Sequence, residues 1–396
     1  MPNISKKGLN MPESPIRKLV PFSEKAKTKG VEVLHLNIGQ PDISPPKNVL
    51  DKINKFEINS IQYSHSAGIQ EYREKLSEYY RKIEKTISYQ NILITTGGSE
   101  ALSTVLNCIC DPEDEIIIPD PYYANYNGFS NSSNIKIKPI LCEIGKGFKL
   151  PKINQFEEKI TKKTKAILIC NPGNPTGALY SLKELKELGK IIKKYDIFLI
   201  ADEVYREFIY DDYKHHSILK LKDIEQNNII IDSVSKRYSM CGARVGAIIS
   251  KNNELINTAL KFSQARLSPP TLGQLAAMEA LNTKPNYFKK VIKEYDTRRQ
   301  VVVNGLNQIP GVICPKPKGA FYCIAQLPVK NSDTFCKWLL KEFEFKKTTV
   351  MLAPANGFYS KENNIKNQVR IAYVLEKQKL ALAVEIIKRG LDLYED

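Results

Sequence analysis

The segment AILICNPGNPTGALYSLKELKELGKIIKKYDIFLIADEVY (166–205) decides the architecture. Two five-residue apolar runs, AILIC and IFLIA, flank a stretch in which leucine and isoleucine recur at helical spacing among lysine and glutamate. Short continuous apolar runs joined by an amphipathic helix mark parallel strands covered on both faces. Working outward, the same pattern recurs in NILIT (91–95), EIIIP (115–119), NIII (228–231) and VGAIIS (245–250). Helical patterns lie between them in SEALSTVLNCIC, SLKELKELGKIIKKY and NNELINTALKFSQAR. The expected fold is therefore α/β, a mostly parallel sheet with helices on both faces. FYCIAQL, VRIAYVL and the closing helix EKQKLALAVEIIKRGLDLY indicate a smaller α+β domain. A long helix is expected from Gly273 through Leu306. The proline-punctuated arm that precedes LNIGQPD is expected to be irregular structure lying on the rest of the molecule. This organisation divides the chain into 1–47 (arm and part of the small domain), 48–290 (large domain) and 291–396 (small domain).

Composition narrows the function classes. The 396 residues are 42% hydrophobic and 26% charged, which excludes a disordered or collagen-like chain. No apolar run reaches the ~18 residues of a membrane span, and the first residues lack a signal-peptide core, so a soluble, cytoplasmic, non-membrane protein is expected. The net charge of +16 invites a nucleic-acid reading, but the lysines interleave with glutamates on helix faces and no nucleic-acid motif accompanies them. The eight cysteines show neither C-x-x-C nor histidine spacing, which argues for reduced thiols and no metal site.

In open α/β sheets ligands bind beyond the carboxyl ends of the strands, and here those ends carry a coherent set of groups. NPGNPTG (171–177) follows AILIC, DEVY (202–205) follows IFLIA, DSVSKRYSMCGARVG (232–246) follows the isoleucine run, and TGGSE (96–100) follows NILIT. Gly97, Gly98 and Ser99 open a helix, where free N–H groups and the positive dipole end favour a phosphate, although Gly-Gly also serves as plain capping. Ser233 and Arg244 would add a hydroxyl and a permanent cation to the same anion. Lys236, between them, is either a surface lysine or an amine whose burial lowers its pKa and suits it to Schiff-base chemistry. Asp202 follows a wholly apolar strand and needs a cationic partner such as a protonated pyridine nitrogen. Pyridoxal phosphate combines that nitrogen with a phosphate and an aldehyde.

Together these motifs, with LNIGQPD (36–42), YSHSAG (63–68), PDPYYANY (119–126) and VRIAYV (369–374), resemble the class I/II, fold-type I pyridoxal-phosphate aminotransferases, the aspartate aminotransferase-like group. The resemblance covers nearly the whole chain and implies a seven-stranded-type sheet. It also implies an aminotransferase that moves the amino group of an L-amino acid to a 2-oxo acid, 2-oxoglutarate being the expected acceptor. By the same resemblance Lys236 forms the internal aldimine and carries the proton. Asp202 keeps the pyridine protonated, and Tyr205 and Asn174 bind the cofactor's phenolic oxygen. Tyr123 stacks on the ring, or else is core packing. Gly98, Ser99, Ser233 and Arg244 form the phosphate cup, joined by Tyr63 from a partner subunit, which implies a homodimer with shared sites. Arg370 grips the substrate α-carboxylate, with Gly39 and Asn174 beside the substrate.

The substrate side chain is not decided by these motifs. Dicarboxylate-specific relatives read a second carboxylate with an arginine of the partner subunit just before S-N-P-P, and a prephenate/aspartate-type branch with a lysine near the phosphate loop. Ser99 stands where that lysine would be, and Arg266 in QARLSPPT is shifted in register, so it is either a reader or a structural arginine. Tyr126 and its tyrosine neighbours would line an apolar pocket or pack in the core. His65, His215 and His216 are given no catalytic role, the last two being placed in a charged loop. A β-lyase on the same fold is the alternative activity, and a DNA-binding regulator the more distant one.

Overall fold

The computed structural model describes residues 2–56 and 59–395. Its strands in chain order are β1 (Glu32–His35), β2 (Ile92–Thr95), β3 (Glu115–Asp120), β4 (Lys136–Leu141), β5 (Thr164–Cys170) and β6 (Phe198–Asp202). They continue with β7 (Asn228–Ser233), β8 (Gly246–Ile249), β9 (Tyr322–Gln326), β10 (Thr348–Met351), β11 (Ala353–Pro354) and β12 (Gln368–Ala372). Seven of them form one sheet in the order β2-β8-β7-β6-β5-β3-β4, parallel throughout except that β8 runs against both neighbours. This is the expected fold type I.

The continuous apolar runs have a direct cause. Along β5, Ile167 and Ile169 enter a core on one face, while Ala166 and Leu168 enter a second core on the other. A strand buried on both faces has no polar position to alternate with. The helix Leu182–Tyr195 covers the first face through Leu185, Leu188, Ile191 and Ile192. Ser181 caps it, exchanging hydrogen bonds with Glu184, and Asp196 ends it in the left-handed conformation. The helices Gly97–Ile109 and Asn253–Arg266 cover the second face. The register pairs Cys170 of β5 with Asp202 of β6, so the NPGNPTG loop and the acidic residue leave the sheet at the same edge.

Several expectations are corrected. The long helix is two, Thr271–Ala280 and Pro285–Asn307, because Pro285 lacks the N–H that an unbroken helix would need and instead opens a new one. The arm is not wholly irregular: it carries the helix Val20–Thr28 and strand β1, which pairs in parallel with β10. Strand β4 is an addition; its sequence KIKPIL hides the strand behind lysines and Pro139, which an edge position tolerates. Strands β11-β12-β9 form a separate three-stranded sheet that carries Arg370. Among the described residues all eight cysteines are free, and no helix is long and apolar enough to cross a membrane.

Candidate active site

Beyond the carboxyl edge of the large sheet lies a cavity of about 920 Å³, lined on one side by residues 11–17 of the arm and by Ile38, Gly39 and Gln40. Eleven of the twelve expected site residues line it. The exception, Tyr63, does not line it and is 79% exposed.

Gly98, Ser99, Ser233 and Arg244 come together where the helix Gly97–Ile109 begins. Gly97 has φ +79°, and a Cβ there would lie 2.5 Å from the Arg244 guanidinium, so only glycine lets that cation rest on the helix start. Arg244 Nη1 also donates to the Cys241 carbonyl at 3.2 Å. Ser233 caps the short helix Val234–Arg237, with its hydroxyl 2.9 Å from the Ser235 hydroxyl and 3.0 Å from the Val245 carbonyl. Behind it, Asp232 is held below the usual carboxylate range, because Arg237, Arg206 and a hydrogen bond from Tyr80 outweigh burial. That buried lattice fixes the end of β7, from which the short helix carrying Lys236 leaves.

A second group joins the arm to the sheet. Lys236 Nζ donates to the Gly39 carbonyl at 2.7 Å and lies 3.7 Å from Cys241 Sγ. Burial lowers its pKa, and the Arg370 and Arg244 charges act in the same direction, against the Cys241 thiol. Tyr322 Oη lies 3.4 Å from the same carbonyl and 2.9 Å from Tyr205 Oη. Asn174 spans 3.5 Å to Tyr205 Oη and accepts from Arg370 Nη1 at 3.2 Å. Arg370 is 1% exposed, lies between the faces of Tyr322 and Phe358, and donates through Nη2 to the Asn37 carbonyl. Its Nε has no hydrogen-bond partner among the described residues.

Asp202 is pushed up to about 6 by burial, against the hydrogen bonds it accepts from Tyr126 Oη (2.8 Å) and the Val204 N–H. It has no ion-pair partner among the described residues. Tyr126 lines the cavity and is also packed in the core: it is buried, bonded to Asp202, and meets Tyr123 edge to face at 5.5 Å. Arg266 stands outside the cavity, paired with Glu100 at 3.3 Å and bonded to the Ser66 carbonyl. His215 lies in the charged loop, yet it is half-buried against the sheet edge, 3.1 Å from the Asn171 carbonyl, with its pKa brought down to about 3 by burial and Arg206. His65 accepts from the Ala67 N–H, a local structural bond. Tyr322 is a site residue that carries no local sequence signal, and only the fold brings it in, whereas Asn37, Ser235 and Cys241 lie inside the motifs LNIGQPD and DSVSKRYSMCGARVG, which do not single them out.

The profile of the family described as "Aminotransferase class I and II" matches residues 31–387. The chain belongs to that family. It is 32% identical over 386 residues to the aspartate aminotransferase of Bacillus subtilis (strain 168), covering 93% of this chain and 94% of the relative. It is also 32% identical to the (5-formylfuran-3-yl)methyl phosphate transaminase of Methanocaldococcus jannaschii, covering 98% and 100%. The structure of Thermus thermophilus aspartate aminotransferase with maleate superposes with a TM-score of 0.90 at 25% identity, over 98% and 100% of the two chains. These names are of amino-transferring enzymes, and the elimination alternative is not favoured. Class I and II aminotransferases use pyridoxal phosphate, and the residues present fit it. A buried amine, a buried carboxyl without a cationic partner, a cation over a helix N-terminus and an arginine with a spare buried donor share one cavity.

Proposed function

We propose that this aminotransferase moves the amino group of an L-amino acid to a 2-oxo acid, with 2-oxoglutarate as acceptor. Pyridoxal phosphate would be held covalently by Lys236, at its ring nitrogen by Asp202, at its phenolic oxygen by Asn174 and Tyr205, and on its face by Tyr123. Its phosphate would be taken by Gly98, Ser99, Ser233 and Arg244. When bound, that group supplies an electron-withdrawing ring that stabilises negative charge at the substrate Cα.

The protein's part follows from its own groups. Arg370 orients the substrate through its α-carboxylate, which a planar guanidinium engages with two parallel hydrogen bonds. Burial favours the neutral form of the Lys236 amine, which can take a proton at Nζ and return it, while the Gly39 carbonyl directs that nitrogen. The observation that carries this reading is the buried Lys236 amine, set in one cavity with Asp202 and Arg370.

Two finer assignments complete it. The protein would act as a homodimer in which Tyr63 serves the neighbouring cavity. In support, Ile61, Tyr63 and Leu267 are large, exposed and held together by the Thr271–Gln62 and Ser66–Leu267 hydrogen bonds, and Leu267 has the unfavourable φ of +85°. The division into 1–47, 48–290 and 291–396 is supported by the β1–β10 pairing, which attaches the arm to the C-terminal part.

The test is borohydride trapping of the purified holoenzyme followed by peptide mass mapping, together with a panel of twenty amino acids against 2-oxoglutarate. A cofactor label on Lys236 and glutamate formation are expected. A label on another lysine, or ammonia release without glutamate, would end the reading.

A further inference from the structure

Cys241 opens the turn that follows the short helix of Lys236, and both side chains line the cavity. The Cys241 thiol donates to the Ser235 carbonyl at 3.2 Å, while its sulfur accepts from Lys236 Nζ at 3.7 Å. Nζ is held there by its other bond, to the Gly39 carbonyl at 2.7 Å. Two nucleophiles, an amine and a thiol, therefore face each other in a space that a small reactant can enter.

The remaining thiols are placed differently. Among the described residues Cys241 is the one cysteine that lines the cavity. Cys142, Cys314, Cys323 and Cys336 are buried. Burial pushes the Cys108 and Cys110 thiols up to about 12 and also raises those of Cys142, Cys170 and Cys336, which deprives them of the thiolate that oxidants attack. Beside Cys241, by contrast, stands a base that can take the thiol proton.

We propose that Cys241 and Lys236 form a reversible sulfur–nitrogen bond when the cavity meets a hydroperoxide. The amine takes the thiol proton, and the thiolate attacks one peroxide oxygen. The O–O bond breaks, and the departing hydroxide collects the proton from Nζ as water. The sulfur, oxidised by two electrons, now bears the hydroxyl of a sulfenic acid. Neutral Nζ then displaces that hydroxyl: the S–N bond forms, the S–O bond breaks, and the hydroxyl leaves with an amine proton as a second water. Burial favours the neutral amine that this displacement needs. A small thiol reverses the bond by attacking sulfur, which frees the amine and leaves a mixed disulfide, and a second thiol then releases Cys241 as the small disulfide forms. The sequence of steps needs only this chain and the oxidant, so it is independent of the cofactor proposed above. Its effect is to withdraw the Lys236 amine from the cavity until a reductant returns it.

The experiment treats the cofactor-free full-length protein and its Cys241→Ser and Lys236→Ala variants with hydrogen peroxide, alkylates the free thiols after denaturation, and maps tryptic peptides by mass. In the wild type, peptides 223–237 and 238–244 are expected as one species about 2 Da lighter than their sum, with cleavage after Lys236 lost. Dithiothreitol should restore the two separate peptides, and neither variant should give the joined one. Sulfenic or sulfinic acid on Cys241 with Lys236 free, a link about 14 Da heavier than the unjoined peptides that retains the oxygen, or a disulfide from Cys241 to another cysteine would overturn the assignment. A Cys241 thiol that stays unmodified would do the same.

Discussion

The side-chain amine of Lys236 and the backbone carbonyl of Gly39, 197 residues apart in the chain, meet at 2.7 Å. The contact joins the residue proposed to bear the cofactor to the arm that lines one side of the cavity. It also explains the glycine: a Cβ at position 39 would lie 1.8 Å from Tyr322 Oη. Gly39→Ala should displace either the arm or Tyr322, lowering stability by about 1 to 3 kcal/mol, the usual range for overpacking. Denaturant unfolding measures this. A wild-type midpoint together with wild-type turnover would show that the close approach has no consequence.

Lys236→Ala should keep the fold and lose at least about 10⁴-fold in amino-group transfer, because both the covalent anchor and the proton carrier disappear. The protein should also take up no mass on borohydride treatment with the cofactor present. Retained turnover would remove Lys236 from its role.

For Arg370→Lys we expect an amino-acid KM raised about 10- to 100-fold, corresponding to a loss of about 1.5 to 3 kcal/mol for a charge-assisted contact. Steady-state kinetics on alanine and aspartate would read it. A KM unchanged for both would place the α-carboxylate elsewhere.

Asp202 predicts a pH effect on the cofactor-free protein. Its pKa rises from 3.8 to about 6 on folding, so between those values the folded state binds the proton more tightly than the unfolded chain does. This group's penalty is absent below pH ~4, grows as the carboxyl ionises, and reaches roughly 3 kcal/mol above pH ~6. Asp202→Asn should remove it, making the cofactor-free variant more stable than wild type at pH 7 and little different at pH 4, while holoenzyme turnover falls by about 10³-fold. Denaturation of both proteins across that interval checks the sign; parallel curves would show that Asp202 is not strained.

Shared sites predict complementation. Tyr63→Ala and Lys236→Ala should each be impaired alone, yet unfolding and refolding them as an equimolar mixture should restore about one-quarter of wild-type activity. Half the dimers would then be hybrids with one intact site. Recovery no greater than the sum of the separate variants would confine Tyr63 to its own subunit.

Much of this site was legible in the chain because apolar strands end abruptly in polar loops. AILIC before NPGNPTG and IFLIA before DEVY announce both the sheet and the edge at which chemistry gathers, and the β5–β6 register makes the two loops neighbours. Other parts had no local mark. Tyr322 sits in FYCIAQL like any strand aromatic, and only tertiary structure brings its hydroxyl to Tyr205 and Gly39. Tyr126 read equally well as a pocket wall, since nothing in PDPYYANY reveals that its hydroxyl faces Asp202. The break at Pro285 was visible as a residue, but the apolar periodicity on either side concealed it.

Arg370 enters each encounter with two of its donors already engaged, by Asn174 and by the arm. Under the proposed assignment, an arriving carboxylate would trade places with those internal partners as well as claim the idle Nε. When the product leaves, Asn174 and Asn37 are in place to resume their bonds, so a tight grip on the substrate does not entail slow release. An enzyme that must admit two different acids in alternation through one doorway benefits from such a reversible handover.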